Sequence, residues 1–228
     1  DINDHHTLCM TFDEMRAVVQ TAHNHGLKVT GHCRATEGIR NALLSGYDAL
    51  EHGTFIDDET LELLLARDVP VVPALYFEYA SIERGPEFRM PQAVIDGHNE
   101  TLEGGAESAR RILRAGGRLG MGGDYGFAWN PHGDYARELE FFVKYVGLTP
   151  LEVLTCATKT GAEIMGRGDE FGTLEPGKLG DILITRGDPL KDIAVLQDRS
   201  QTLGVLQGGV IRAGRLLDPA IASKQVVC

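Results

Sequence analysis

The chain has 228 residues, 43% of them hydrophobic, with 28 glycines and 9 prolines spread between apolar runs. That composition supports one large or two modest packed domains and excludes a disordered or low-complexity chain. With 22 Lys and Arg against 33 Asp and Glu, the formal charge of -11 excludes a general nucleic-acid or anionic-membrane surface, which needs clustered cations.

No apolar run approaches the roughly 20 residues that span a bilayer. The opening Asp1-Ile2-Asn3-Asp4-His5-His6 has neither the basic region nor the apolar core of a signal peptide, and it lacks the Met of a natural start. A cytoplasmic location is expected, with an upstream signal segment left open. Cys9, Cys33, Cys156 and Cys228 show no CxxC or other short spacing, so reduced thiols are expected rather than a zinc knuckle or a disulfide framework.

Along the chain, Thr11-Phe12-Asp13-Glu14 is a capping box, and Phe12, Met15, Val18, Val19 and Ala22 follow at helical spacing until Gly26. Leu27 to His32 reads as a short strand. A helix near Ile39 to Leu44 ends at Gly46, and Asp48 to His52 is the next strand. A third helix spans about Asp58 to Arg67. The apolar run Val69 to Leu75 reads as a strand with prolines near its ends. An irregular stretch, a long helix from about Pro91 to Ala115 and a strand from Arg118 to Gly122 complete the series. Helix and strand thus alternate in the rhythm of βα units around a parallel sheet or barrel. Four strands are half of an eight-stranded barrel, which needs about 250 residues.

From Asp134 the pattern turns helical, with a second capping box at Thr149-Pro150-Leu151-Glu152. After Gly172, short strands at Asp181 to Thr185, Thr202 to Leu206 and Gly209 to Ala213 read as a small antiparallel region. The expected division is residues 1–170 for the half-barrel and its helices, and 171–228 for the β region.

Three polar residues fall at the C-terminal ends of expected strands: His32 after the first, His52 after the second and Asp124 after the fourth. In a βα barrel those ends converge on the catalytic face. Two imidazoles and a carboxylate brought together there can hold a divalent metal such as zinc while leaving a position for water. Asp124 is then placed to take a proton from that water and pass it to a leaving amine.

Val29-Thr30-Gly31-His32, Ala49-Leu50-Glu51-His52-Gly53 and Met121-Gly122-Gly123-Asp124 resemble strands five, six and eight of the amidohydrolase superfamily, nearest its imidazolonepropionase-like and prolidase-like branch. Pro150-Leu151-Glu152-Val153-Leu154 with Ala157-Thr158, and Gly172-Thr173-Leu174-Glu175-Pro176-Gly177-Lys178-Leu179-Gly180-Asp181, match that branch's C-terminal signature. The resemblance implies the C-terminal half of a (β/α)8 barrel, strands five to eight, followed by part of a small β-sandwich. It implies a metal-dependent hydrolase of amide or peptide-like C–N bonds, with dipeptides or N-acyl amino acids as substrates. A cyclic-amide hydrolase or a deaminase is the alternative chemistry. His32 and His52 become metal ligands, and Asp124 a ligand and the general acid/base, around one or two ions in the complete enzyme.

The family's HxH pair and its carboxylated Lys have no counterpart upstream of His32. His5 and His6 are adjacent, so their rings point apart in an extended chain, and they do not replace the pair. A non-catalytic half-barrel is therefore the second reading, active only when assembled with an N-terminal half in cis or in trans, or with a copy of itself.

Tyr76 and Tyr79 follow the third strand and are candidates for binding a substrate carbonyl or carboxylate, or for packing the loop. Arg34 suits an acidic substrate group or a salt bridge to Glu37, and His132 lies in the loop after Asp124. His23 and His25 belong to an outer helix. Lys178 in Pro176-Gly177-Lys178 has a structural role, and Gly122-Gly123 lacks the spacing of a phosphate-binding loop.

Overall fold

The computed structural model describes residues 7–217, so His5, His6 and Cys228 lie outside the described residues. The protein is a mixed α/β chain of two compact units with the boundary between Gly147 and Leu148. The helices of residues 150–164 therefore fall in the second unit, whereas a division at residue 170 groups them with the βα units.

In the first unit, Thr11 opens α1 (Phe12–Asn24) with the reciprocal cap its sequence calls for. The Glu14 amide donates to Thr11 Oγ1 at 3.3 Å, and the Thr11 amide donates to Glu14 Oε2 at 2.8 Å. There follow β1 (Thr30–Cys33), α2 (Thr36–Ser45), β2 (Ala49–His52), α3 (Asp58–Ala66) and β3 (Val71–Val72). The three strands are parallel in the order β1-β2-β3, with Thr30 opposite Ala49 and Leu50 opposite Val71. A parallel strand is covered on both faces, which is why β2 and β3 are built from Ala49, Leu50, Val71 and Val72, all buried. Ile39, Ala42 and Leu43 repeat at i, i+3 and i+4 on α2 and are completely buried. Truncating Leu43 or Leu50 to Ala would cost on the order of 2–5 kcal/mol.

Two expectations differ from the structure. The expected strand Val69 to Leu75 pairs only through Val71 and Val72, and Leu75 instead begins α4 (Leu75–Arg84) where an irregular stretch is expected. Ala74, in the left-handed conformation, gives this helix no side-chain cap. Its first amides donate to Glu138, Leu75 N at 2.8 Å and Tyr76 N at 2.6 Å. The start signal therefore sits more than 60 residues downstream, outside any local window. The second difference is at Arg118 to Gly122. After α5 (Gln92–Arg114), that segment contributes one parallel bridge, Leu119 to Val71, instead of a full ladder. α6 (Ala136–Phe141) then runs into a π-helical turn at Phe142–Val146.

The second unit opens on α7 (Pro150–Thr155), whose Thr149/Glu152 capping box forms as its sequence calls for, and continues through α8 (Gly161–Ile164). β4 (Ile182–Thr185), β5 (Thr202–Gln207) and β6 (Val210–Ala213) make an antiparallel sheet in that order. Lys178 Nζ donates to Gly168 O at 2.8 Å and to Thr173 Oγ1 at 2.6 Å, tying down the turn before the sheet. Gly172 has φ +96°, and a Cβ there would stand 2.5 Å from the Ala162 Cβ, so the turn admits only glycine. Among the described residues, no helix is long and apolar enough to cross a membrane.

Candidate metal centre

His32 lies on β1, His52 ends β2, and Asp124 follows the Leu119 bridge. Parallel register sets His32 opposite Glu51 and Cys33 opposite His52, which by alternation would separate the two imidazoles. The backbone resolves this: His52 has φ +67° and Gly53 φ +56°, so the chain turns sharply at the strand end and the His52 ring swings beside His32. Ala74 after β3 and Asp124 are also left-handed, with φ +55° and +48°. Three non-glycine residues in this sparsely populated region, His52 ending β2, Ala74 just beyond β3 and Asp124 beyond the Leu119 bridge, mark stored backbone strain of the kind found at functional sites. At Asp124 the turn is held by Asn130, a buried side chain whose amide donates to Gly123 O at 2.6 Å and Asp124 O at 3.1 Å.

The result is a compact three-donor cluster. His32 Nδ1 is 2.9 Å from His52 Nε2, Asp124 Oδ2 is 3.8 Å from His32 Nδ1, and Asp124 Oδ2 is 3.5 Å from His52 Nε2. Ligands about 2.0–2.1 Å from a tetrahedral zinc are about 3.3 Å from one another, so this triangle has the dimensions of one ligand face. Two imidazole nitrogens and a carboxylate oxygen suit zinc and similar divalent ions. The residues present therefore fit such an ion. His52 is buried and His32 is open to solvent on its outer side. Burial holds the His52 imidazole below its usual pKa, with the nearby Arg34 charge pushing the same way, so its neutral, metal-binding form is favoured. Burial also acts to raise Asp124, but its hydrogen bond to His52 and the charges of His52, His32 and Arg34 outweigh this and keep it ionised below the usual carboxylate range. Glu51, facing Thr30 Oγ1 at 3.0 Å, is shifted upward by burial.

The remaining candidates are not among the three donors, although the Arg34 charge acts on His52 and Asp124. Arg34 is nearly buried and directs Nη2 to Glu78 Oε1 at 3.3 Å, not to Glu37. Tyr76 is completely buried, its ring 5.4 Å from Phe141 and beneath the Arg137 guanidinium. Tyr79 packs on the same Phe141, with ring centroids 4.8 Å apart, and its hydroxyl donates to Glu83 Oε1 at 3.2 Å. His132 is exposed and pairs with the Tyr135 hydroxyl at 3.2 Å. None of these four belongs to the three-donor cluster.

Behind His52 stands a group the sequence reading passed over. Glu78 is buried, with Oε2 accepting from His98 Nδ1 at 2.6 Å and Thr101 Oγ1 at 2.7 Å. Burial alone would raise this carboxyl, but the His98 hydrogen bond, then the Arg34 charge, then those of His52 and His98, hold it down to about 2. A signal was available: Glu78 is a lone acid inside Leu75-Tyr76-Phe77-Glu78-Tyr79-Ala80, where an unpaired charge would be costly.

A parallel βα sheet here carries a cluster with the donor types and spacing of a divalent-metal site. The sequence matches the Amidohydrolase family over residues 2–212, and the chain belongs to that family, which is generally metal-dependent. It is 28% identical over 214 residues to ochratoxinase of Aspergillus niger, covering 91% of this chain and 42% of that protein. Among solved structures it is similar to a Xaa-Pro dipeptidase with bound methionine in its active site, with TM-score 0.80 and 26% identity over 90% of this chain and 49% of that one. It is also similar to a prolidase complexed with N-methylphosphonate-L-proline, with TM-score 0.82 and 29% identity over 90% of this chain and 50% of that one. The chain spans about half the length of these relatives.

Proposed function

We propose that this chain carries the His32, His52 and Asp124 part of the metal centre of a hydrolase acting on amide or peptide-like C–N bonds. The observation that carries the reading is the convergence of these three donors at strand ends, two of them on strained backbone. Zinc is the proposed ion, held by His32 Nδ1, His52 Nε2 and Asp124 Oδ2. The chemistry such an ion supplies when bound is Lewis-acidic: it acidifies water and polarises the scissile carbonyl. Asp124, ionised at neutral pH, takes the proton of the attacking water and returns it to the leaving amine. His52 contributes a neutral, fixed donor, and His32 completes the set from the solvent-exposed edge strand β1. Likeness to a Xaa-Pro dipeptidase and to a prolidase complex supports dipeptides as the substrate class, with N-acyl amino acids beside them, while likeness to imidazolonepropionases keeps a cyclic amide as the alternative.

We further propose that the first unit is half of a (β/α)8 barrel, strands five to eight, and the second unit part of a composite β-sandwich. β1 is an edge strand, and a cavity of about 420 Å³ beside it is lined by Leu8, Met10, Met15, Val18 and Val29 as well as His32. An open edge with an apolar hollow against the site favours assembly with an N-terminal half, in cis or in trans, or with a second copy. The test is hydrolysis of a dipeptide and N-acyl amino acid panel by the chain, alone and with a polypeptide supplying the remaining strands. Turnover that is lost on chelation, restored by zinc and abolished by Asp124→Asn is the expected result. Turnover indifferent to both chelation and Asp124→Asn would overturn it.

A further inference from the structure

We infer that Glu78 is a positioning residue for His52: its carboxylate keeps the imidazole hydrogen on Nδ1, so that Nε2 turns a lone pair toward His32 and Asp124. This rests on the metal-centre reading above. His52 Nε2 faces the cluster, at 2.9 Å from His32 Nδ1 and 3.5 Å from Asp124 Oδ2. Its other nitrogen points inward. Nδ1 is buried without a hydrogen-bond partner, and Glu78 Oε1 stands 3.8 Å from it. A bare Nδ1 would set its lone pair against the buried Glu78 carboxylate, which is repulsive, whereas an Nδ1–H attracts it and needs a closure of under about 1 Å to bond at ordinary length; Asp124 Oδ2, 3.5 Å from Nε2, draws the hydrogen the other way until a cation takes up the Nε2 lone pair. Metal-binding histidines commonly donate their second ring nitrogen to a carboxylate in this way, which fixes both tautomer and ring orientation.

Glu78 is also built not to move. Its Oε2 is held by His98 and Thr101 of α5, and its Oε1 by Arg34. The N-terminus of its own helix, α4, is clamped by Glu138. The Phe77 ring fills the space between the His52 and His98 rings, with centroids 6.3 and 5.6 Å away. A carboxylate merely neutralising Arg34 would need neither the two donors on Oε2 nor a place behind a metal-facing imidazole.

The test begins with the full chain loaded with Zn2+, which leaves the spectrum diamagnetic, its histidines labelled with 15N and the His52 signals assigned by their loss in His52→Asn. Long-range 1H–15N correlation reads which ring nitrogen carries hydrogen. Hydrogen on Nδ1 is expected, and hydrogen on Nε2 overturns the inference without any Glu78 variant being needed. Titration with Co2+, followed by its visible absorption, is then compared between the unaltered chain and Glu78→Gln. We expect affinity to fall by about 10–100-fold with a changed spectrum, the spectrum being the readout that the loss of stability from an unpaired Arg34 would not by itself move. Equal affinity and an identical spectrum would remove Glu78 from this role. Where Glu78→Gln does not fold, the paired change Arg34→Met with Glu78→Met replaces the buried ion pair by apolar side chains and is read by the same titration. An unaltered chain that takes up no Co2+ overturns the metal reading, whereas equal binding by chain and variant overturns only the part played by Glu78.

Discussion

His32 Nδ1 and His52 Nε2 lie 2.9 Å apart, although β1 and β2 pair in a register that sets His52 opposite Cys33. The left-handed turn at His52 and Gly53 makes the approach possible. The two imidazoles should therefore differ in what their removal does. His32→Ala, at an exposed ring, should shift stability by no more than about 0.5 kcal/mol. His52→Ala, at a buried one, should cost about 1–3 kcal/mol. Both should abolish stoichiometric zinc uptake, measured by metal analysis after dialysis; a His32→Ala protein that keeps its zinc would remove that residue from the ligand set.

Asp124→Asn separates metal binding from proton transfer. An amide oxygen can still approach the cluster but cannot shuttle a proton, so turnover should fall by about 10²–10⁴-fold while zinc content stays largely intact. Near-normal turnover by this variant would place the acid/base elsewhere.

Asn130 holds the strained turn at Asp124 through two bonds from one buried amide. Asn130→Ala leaves two carbonyls without that donor and should destabilise the protein by about 1–3 kcal/mol. Zinc affinity should weaken as well, because the carboxylate is no longer held in register with the imidazoles. Calorimetry on the variant checks both, and an unchanged affinity would show that Asp124 needs no such clamp.

Glu138 predicts a pH dependence. Burial, aided by the charge of Glu78, raises its carboxyl from 4.5 to about 8, against the opposing pull of the Tyr76 and Leu75 amides. Between those values the folded chain binds more protons than the unfolded one, so this group's contribution to stability is full below about 4.5 and is lost as pH rises through about 8. Unfolding midpoints of Glu138→Gln should decline less over that window than those of the unaltered protein. Parallel declines would mean that Glu138 titrates normally.

Much of this was legible in the sequence, and the misses share one cause. The capping boxes at Thr11 and Thr149, the βα alternation and the small β region depend on neighbours a few residues apart. His32, His52 and Asp124 could be picked out because strand ends in such folds converge. What local reading lacked were long-range partners: Glu138 starting α4, Asn130 pinning Asp124, and Arg34, His98 and Thr101 gathering on Glu78. Tyr76 reads as a polar loop residue, yet its environment is fixed by Phe141 and Arg137, far along the chain.

The central claim is that His32, His52 and Asp124 together hold a divalent metal, and X-ray absorption at the zinc edge of the zinc-loaded chain tests it most directly. The account predicts a low-coordinate N/O site at about 2.0–2.1 Å with the multiple scattering of two imidazoles, lost from the His32→Ala/His52→Ala double variant. A spectrum with no imidazole contribution, or one left unchanged by that double variant, would contradict it.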